Sequence, residues 1–259
     1  MAYKGINLYS KINMNKDEMA DNLALINLII KYTHKKYPEV IDLIDYYKKL
    51  NIINMENDDI YREICWIIYN SGFKYEIIKK YWSFIQISLD DFNVNKVALM
   101  IDNMDYYAKH VCNKSGFNNI KKAKWCIYNA NRILELDKEK DNYDGFKNYL
   151  IYLSQKNRKE LIEMIPNLIN DFKLKGIGKI TIYHLLKNIG IDIFKPDIHL
   201  CRTLKNLQII NNEKISIKEI YFAMEKLSDE TNMNFKELDT LFFIYGMVTK
   251  DASPSKICF

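Results

Sequence analysis

Residues 174–202 read LKGIGKITIYHLLKNIGIDIFKPDIHLCR, and this stretch settles more about the chain than any other. In Leu174-Lys175-Gly176-Ile177-Gly178, two glycines one residue apart let the backbone turn sharply and expose consecutive N–H groups. A helical pattern resumes at Lys179, so those amides stand at a helix start and can hold one phosphate oxygen. Ile177 is the apolar pin between two helices. Lys173, Lys175, Lys179 and Lys187 surround the turn, with Asp171 alone against them. The same pentapeptide also suits an ordinary helix–turn–helix corner. It does not suit a nucleotide P-loop, because Ile180 follows Lys179 where Ser or Thr is needed and Lys173 takes the upstream glycine position.

Some twenty residues on, Pro196-Asp197 opens another helix before Ile198-His199-Leu200. Asp197 is a good N-cap, and capping alone would explain it. The cap also has chemical consequences, since free amides and the helix dipole favour the carboxylate anion there. A fixed anion can stabilise positive charge building on a sugar as its base departs, or orient a water. Sugar hydrolases meet a similar oxocarbenium-like state with two carboxylates; here there is one.

Outward from this stretch the apolar spacing is helical almost throughout. Leu25, Leu28, Ile29 and Tyr32 follow the 3.6-residue period, as do Val40, Ile44, Tyr47 and Leu50. Asp58-Asp59 marks a helix start and Ser71-Gly72 its end. Further helices are expected near 75–88, 94–111, 119–136, 143–153, 157–170, 179–189, 198–209, 216–227 and 235–248. No alternating strand pattern stands out, so the fold class is all-α.

The chain has 259 residues, enough for one domain or two closely joined ones. Its 8 Gly and 4 Pro are few, which argues against long flexible loops. A net charge of +5 permits a polyanionic partner without requiring one. Apolar runs such as Ala24–Ile30 and Leu241–Val248 fall far short of the ~20 residues of a membrane span. The N-terminal MAYKGIN lacks an apolar signal core, so the expected location is cytoplasmic. Cys65, Cys112, Cys126, Cys201 and Cys258 are widely spaced and include no C-x-x-C. That spacing argues against structural zinc or an iron–sulfur cluster and predicts reduced thiols.

The hairpin and the later Asp197-Ile198-His199-Leu200-Cys201-Arg202 together resemble the helix–hairpin–helix (HhH-GPD) DNA glycosylase superfamily, the group of endonuclease III and 3-methyladenine DNA glycosylase. There a hairpin L-P-G-[IV]-G precedes a D-x-H-[LV]-x-R-like segment by this interval. Upstream, Gly116–Ala123 (GFNNIKKA) is similar to the G-[FLY]-x(3–4)-K-A stretch that opens a barrel helix in that superfamily. Ile64–Gly72 (ICWIIYNSG) resembles its first barrel helix. The resemblance implies a two-lobed helical fold with the active site in the cleft between lobes. One lobe would be a barrel over 56–196, with the helix–hairpin–helix near 160–190, and the other would join 1–55 to 197–259. Asp197 takes the place of the catalytic aspartate, and Lys175, Gly176, Ile177, Gly178, Lys179 and Thr181 that of the DNA grip. The implied partner is double-stranded DNA with its target base flipped out, bound by a monomer without metal or cofactor, in the cytoplasm and on the nucleoid if bacterial.

Departures from the superfamily pattern bear on the chemistry. Its strand-cutting members carry a Schiff-base lysine second after the last hairpin glycine, where this chain has Ile180. Lys179 is one residue away and turned ~100° around a helix. The resulting expectation is a monofunctional glycosylase that leaves an abasic site, unless the register slips by one. Lys175 replaces the hairpin proline. Asn70 stands where a glutamine often plugs the hole left by the flipped base, and would serve equally as a helix cap. Ile180 and His184, four apart, with Tyr183 adjacent, are candidates to contact the flipped base or to pack within the lobe. Trp66, Trp82 and Trp125 suit base stacking or, more simply, core packing, and His199 and Arg202 suit either orienting the Asp197 helix or reaching phosphate. The first expectation for the base is an alkylated purine such as 3-methyladenine, already cationic and ready to leave. One alternative is a non-catalytic module binding DNA damage or DNA structure, for which Asp197 is a cap only. A second is a bifunctional glycosylase/AP lyase acting on an oxidised base.

Overall fold

The computed structural model describes residues 22–210 and 216–249. Cys258 and the MAYKGIN segment lie outside the described residues. Every helix or strand assigned among the described residues is a helix, as the spacing predicts. The chain divides into two compact units, Asn51–Ile191 and the pair of segments Met1–Leu50 with Asp192–Phe259.

The unit Asn51–Ile191 carries α3 (Asn57–Asn70), α4 (Tyr75–Ser88), α5 (Val94–Ala98), α6 (Met104–Ser115), α7 (Ile120–Glu139), α8 (Phe146–Ser154), α9 (Arg158–Phe172) and α10 (Thr181–Asn188). The twenty-residue α7 is its axis and packs on α3, α5, α6 and α8. Ala123, Cys126, Ile127, Ala130 and Ile133 form its fully buried stripe, at the spacing an amphipathic helix needs. The start of α3 is a capping box in which Glu56 and Asp59 each accept the other's backbone N–H. Asp58 is used elsewhere: its carboxylate accepts from the Val94 amide at 2.8 Å and from Asn93 at 3.1 Å, fixing where α5 begins.

The expected single helix over 94–111 is instead two, α5 and α6, separated by the 3-10 turn Ile101–Asn103. Asp102 and Asn103 sit at the break. Asn103 makes no side-chain cap bond; its backbone leaves the helical region at φ −123° and ψ 41°, which separates the 3-10 turn from α6. Trp66, Trp82 and Phe92 form an aromatic cluster with ring centroids 4.8 and 4.9 Å apart, and Tyr75 stands edge-on to Trp66 at 5.8 Å. Trp66 and Trp82 are half-buried and packed in this cluster.

The other unit carries α1 (Asn22–Lys36), α2 (Val40–Lys49), α11 (Ile198–Asn206), α12 (Ile217–Thr231) and α13 (Phe235–Thr249). Its centre is α13, buried nearly all round and packed against α1, α2, α11 and α12. That explains the apolar run 241–248, which is a core helix. The divisions at 50/51 and 191/192 fall slightly before the expected 55/56 and 196/197. Local contacts account for both shifts: the 3-10 turn Ile52–Asn54 packs on α8, and residues 192 and 195 bond to α13. Lys236 donates its side chain to the Leu50 carbonyl at 2.5 Å and its amide to Asp192 at 3.2 Å, and Asp239 accepts the Lys195 amide at 3.2 Å. Cys65, Cys112, Cys126 and Cys201 are free and buried. No helix among the described residues is long and apolar enough to cross a membrane.

Candidate nucleic-acid interface and catalytic aspartate

The hairpin belongs to the unit Asn51–Ile191. Helix α9 ends on Lys173, held in the left-handed region at φ 51°, and Gly176 follows at φ 79°. Ile177 is buried, as a pin between α9 and α10 should be. The expected helix start at Lys179 is corrected by two residues, since α10 begins at Thr181. The Thr181 hydroxyl accepts the Gly178 amide at 2.6 Å and so closes the turn over 178–181. The amides of Lys179 and Ile180 meet no acceptor among the described residues. Thr181 thus shapes the turn, and the Lys179 and Ile180 amides are among the hairpin donors that remain unpaired.

The two hairpin glycines have different reasons to be glycine. Gly176 is left-handed, and a Cβ there would lie 2.7 Å from Trp125 Cε3 and 3.2 Å from Ile68 Cγ1. Gly178 has an ordinary φ and open space where a Cβ would stand, so nothing within the protein requires a glycine there. Trp125 is accordingly the floor under the turn.

Helix α7 holds the hairpin through polar side chains that motif reading missed. Asn129, fully buried, accepts the Lys175 amide at 2.8 Å and donates to the Lys175 carbonyl at 2.9 Å. Arg132, 4% exposed, donates to the Phe172 carbonyl at 2.9 Å and the Asp171 carbonyl at 3.0 Å, closing the end of α9. Its remaining donors face Glu139 at 2.5 and 2.8 Å. Lys122 does the same for α3, donating to the carbonyls of Ile68, Tyr69 and Ser71. Burial pushes the Lys122 ammonium down to about 8. A signal was present in the sequence: all three polar residues lie on the apolar stripe of α7. Asn129→Ala removes both hydrogen bonds to the part-buried main chain of Lys175 and leaves a small void where the buried amide stood, and is expected to cost about 1–2 kcal/mol. Urea unfolding reads the loss, and duplex-DNA affinity should fall with it.

The base-contact candidates are disposed as follows. Ile180 and His184 are half-buried, while Tyr183 is buried, which pushes its phenol up to about 12. Asn70, the last residue of α3, donates to the Trp66 carbonyl at 2.9 Å and so lies back along its own helix. The C-terminal end of α10 is tied to α3 by Asn188, which donates to Glu63 at 3.0 Å; burial raises the Glu63 carboxyl.

Asp197 belongs to the other unit and caps α11. Its Oδ1 accepts the amides of His199 at 2.9 Å and Leu200 at 3.1 Å. Its Oδ2 lies 3.0 Å from Lys195 Nζ, a cation two residues upstream that the sequence reading did not single out. Both side chains are partly accessible, 14% for Asp197 and 25% for Lys195. Burial, with the Asp197 charge nearby, pushes the Cys201 thiol up to about 12. His199 stands edge-on to Phe243 with centroids 5.6 Å apart, which anchors the first turn of α11 on α13. One carboxylate is thus fixed at both oxygens, by amides on one side and a cation on the other.

No model of a known protein family matches the chain. The 8-oxoguanine DNA glycosylase/AP lyase of Aquifex aeolicus (strain VF5) is 30% identical to it over 94 residues, 34% of this chain and 42% of that protein. The chain thus matches less than half the length of this curated relative. The crystal structure of the 8-oxoguanine DNA glycosylase of Thermotoga maritima superimposes with a TM-score of 0.53, over 86% of this chain and 96% of that one, at 18% identity. That likeness concerns the fold. The resemblance to the helix–hairpin–helix DNA glycosylase superfamily, read from four short segments, is borne out by a sequence relative and a structural neighbour that are both DNA glycosylases, and the chain has the all-α fold of the neighbour.

Proposed function

We propose that the chain is a DNA N-glycosylase that removes an oxidised purine of the 8-oxoguanine class from duplex DNA. The observation that carries this reading is Asp197, held at Oδ1 by two amides of α11 and at Oδ2 by Lys195. A carboxylate so fixed can stabilise an oxocarbenium-like sugar without reorganising during reaction. The hairpin amides with Lys175 and Lys179 supply a grip on a strand whose target base is flipped out. The expectation of an alkylated purine gives way, because the relative and the structural neighbour are both named for 8-oxoguanine. The chemistry changes with it. An alkylated purine leaves as a neutral molecule, whereas a neutral oxidised purine needs a proton or a stronger nucleophile to help it go.

Ile180 offers no amine at the hairpin position used for Schiff-base chemistry, so water, oriented by Asp197, is the nucleophile and an abasic site the product. A second reading is favoured by the lyase activity in the Aquifex protein's name and by the Lys195 amine beside Asp197. In that reading Lys195 first gives a proton to Asp197; its Nζ then bonds to C1′ as the protonated base departs, the C1′–O4′ bond opens to give the Schiff base, and loss of a C2′ proton expels the 3′ phosphate. Borohydride trapping separates the two. Hydrolysis by water predicts base release with no covalent adduct, and strand breaks only after alkali. The amine reading predicts an adduct that Lys195→Gln abolishes and Lys179→Gln leaves in place. The underlying proposal is tested with duplexes that each carry one lesion, 8-oxoguanine and 3-methyladenine among them. It fails if the wild-type protein binds them all and releases no base.

A further inference from the structure

Beside the hairpin, on the unit Asn51–Ile191, lies an open depression of about 460 Å³. Lys121, Lys124, Trp125 and Tyr128 of α7 line it, with Met104 at the start of α6 and the side chain of Lys175. Its lining has three ammonium groups and no carboxylate. Among the described residues, the acid paired with this cluster is Asp105 on α6, which meets Lys124; the lysine holds its carboxyl below the usual range, with Lys109 adding to the effect.

The lysines are not loose surface cations. Lys121 Nζ stands 4.8 Å from the centroid of Trp125, and Lys175 Nζ stands 5.2 Å from that of Tyr128. Each ammonium lies over an aromatic face, which extends its stem along the wall and leaves outward N–H donors for an anion. The same contacts cover the ring faces, so the depression does not offer a bare platform for a stacked base. Its chemistry selects a phosphate.

Lys175 joins this depression to the hairpin. Its main chain is clamped by Asn129 at the foot of the turn, while its side chain forms part of the lining. Trp125 is likewise shared, as the floor under Gly176 and as a wall of the depression. We infer that this depression is a second phosphate subsite, taking a phosphodiester of the strand that runs on from the hairpin amides. The inference rests on the reading of the chain as a DNA-acting enzyme. It adds a sequence-independent contact that would lengthen the footprint along one strand.

The test is duplex binding as a function of salt, for wild type and Lys121→Ala/Lys124→Ala, on a long duplex carrying 8-oxoguanine. Counterion release gives a slope in log K against log salt of about 0.9 per phosphate neutralised. The double variant should bind roughly 10-fold more weakly near 0.15 M salt, its slope smaller by about 1–2, with base release at saturating DNA unchanged. Lys121→Arg, which keeps the charge, should behave as wild type, and thermal unfolding checks that both variants are folded. Equal affinity and equal slope for wild type and the double variant would overturn the subsite. So would tight binding of a free nucleoside 5′-monophosphate by wild type alone with duplex affinity untouched, since the site would then serve a free nucleotide. A reduced slope in a protein that releases no base from any lesion would support the subsite while removing the glycosylase reading.

Discussion

Asp197→Asn is expected to fold, bind duplex DNA, and release base at least on the order of 10²-fold more slowly than wild type, a change typical of losing one fixed electrostatic contact to a transition state. The fold should survive because asparagine caps a helix as well as aspartate does. Its side-chain oxygen can still accept the His199 and Leu200 amides that Oδ1 now receives. What disappears is the negative charge, and with it the ion pair to Lys195. Single-turnover base release from a labelled 8-oxoguanine duplex, with and without alkali, reads the chemical step directly. Retained binding with lost release places Asp197 in catalysis. Undiminished release would make it a cap and nothing more, and would require another source of catalysis.

Gly176→Ala should damage the protein in a different way, by destabilising the turn itself. An alanine at φ 79° carries a left-handed penalty of roughly 1–2 kcal/mol. Its methyl would also meet Trp125 at 2.7 Å and Ile68 at 3.2 Å, so the ring would have to shift. Relieving such overpacking adds about 1–3 kcal/mol. The expected total of about 2–5 kcal/mol lowers Tm by roughly 2–4 °C per kcal/mol in a chain of this size. Gly178→Ala is the informative partner. With open space at its Cβ and an ordinary φ, it should unfold within a few degrees of wild type. Any loss of DNA affinity in Gly178→Ala would then report close approach of a phosphate to the backbone. Equal melting temperatures for Gly176→Ala and wild type would show that the turn accommodates a side chain there.

Much of this was legible in the sequence, for reasons that are local. Helical spacing and the sparse glycines and prolines announce an all-α chain, because amphipathic periodicity is written into consecutive residues. The G-I-G turn and the Pro-Asp step are also local signals, since a sharp turn and a helix cap are each completed within a few residues. Even the position of Asp197 at the start of α11 needed nothing from elsewhere in the chain. The break between α5 and α6 was missed because the apolar period continues across it, while the backbone leaves the helical region at Asn103.

The tertiary structure decided what holds those local features in place. Asn129 and Arg132 contact residues about forty positions away, so their value to the hairpin appears only once α7 lies under it. The same packing separates two glycines that look equivalent in sequence, one strained against Trp125 and one facing open space. It also assembles Lys121, Lys124 and Lys175 around one depression, which linear spacing does not foretell. The sequence by itself determined the helices, the turn and the capped carboxylate, because each depends on neighbours along the chain. Which side chains support the turn, and which lysines share a surface, depends on long-range contacts that exist only after the helices pack.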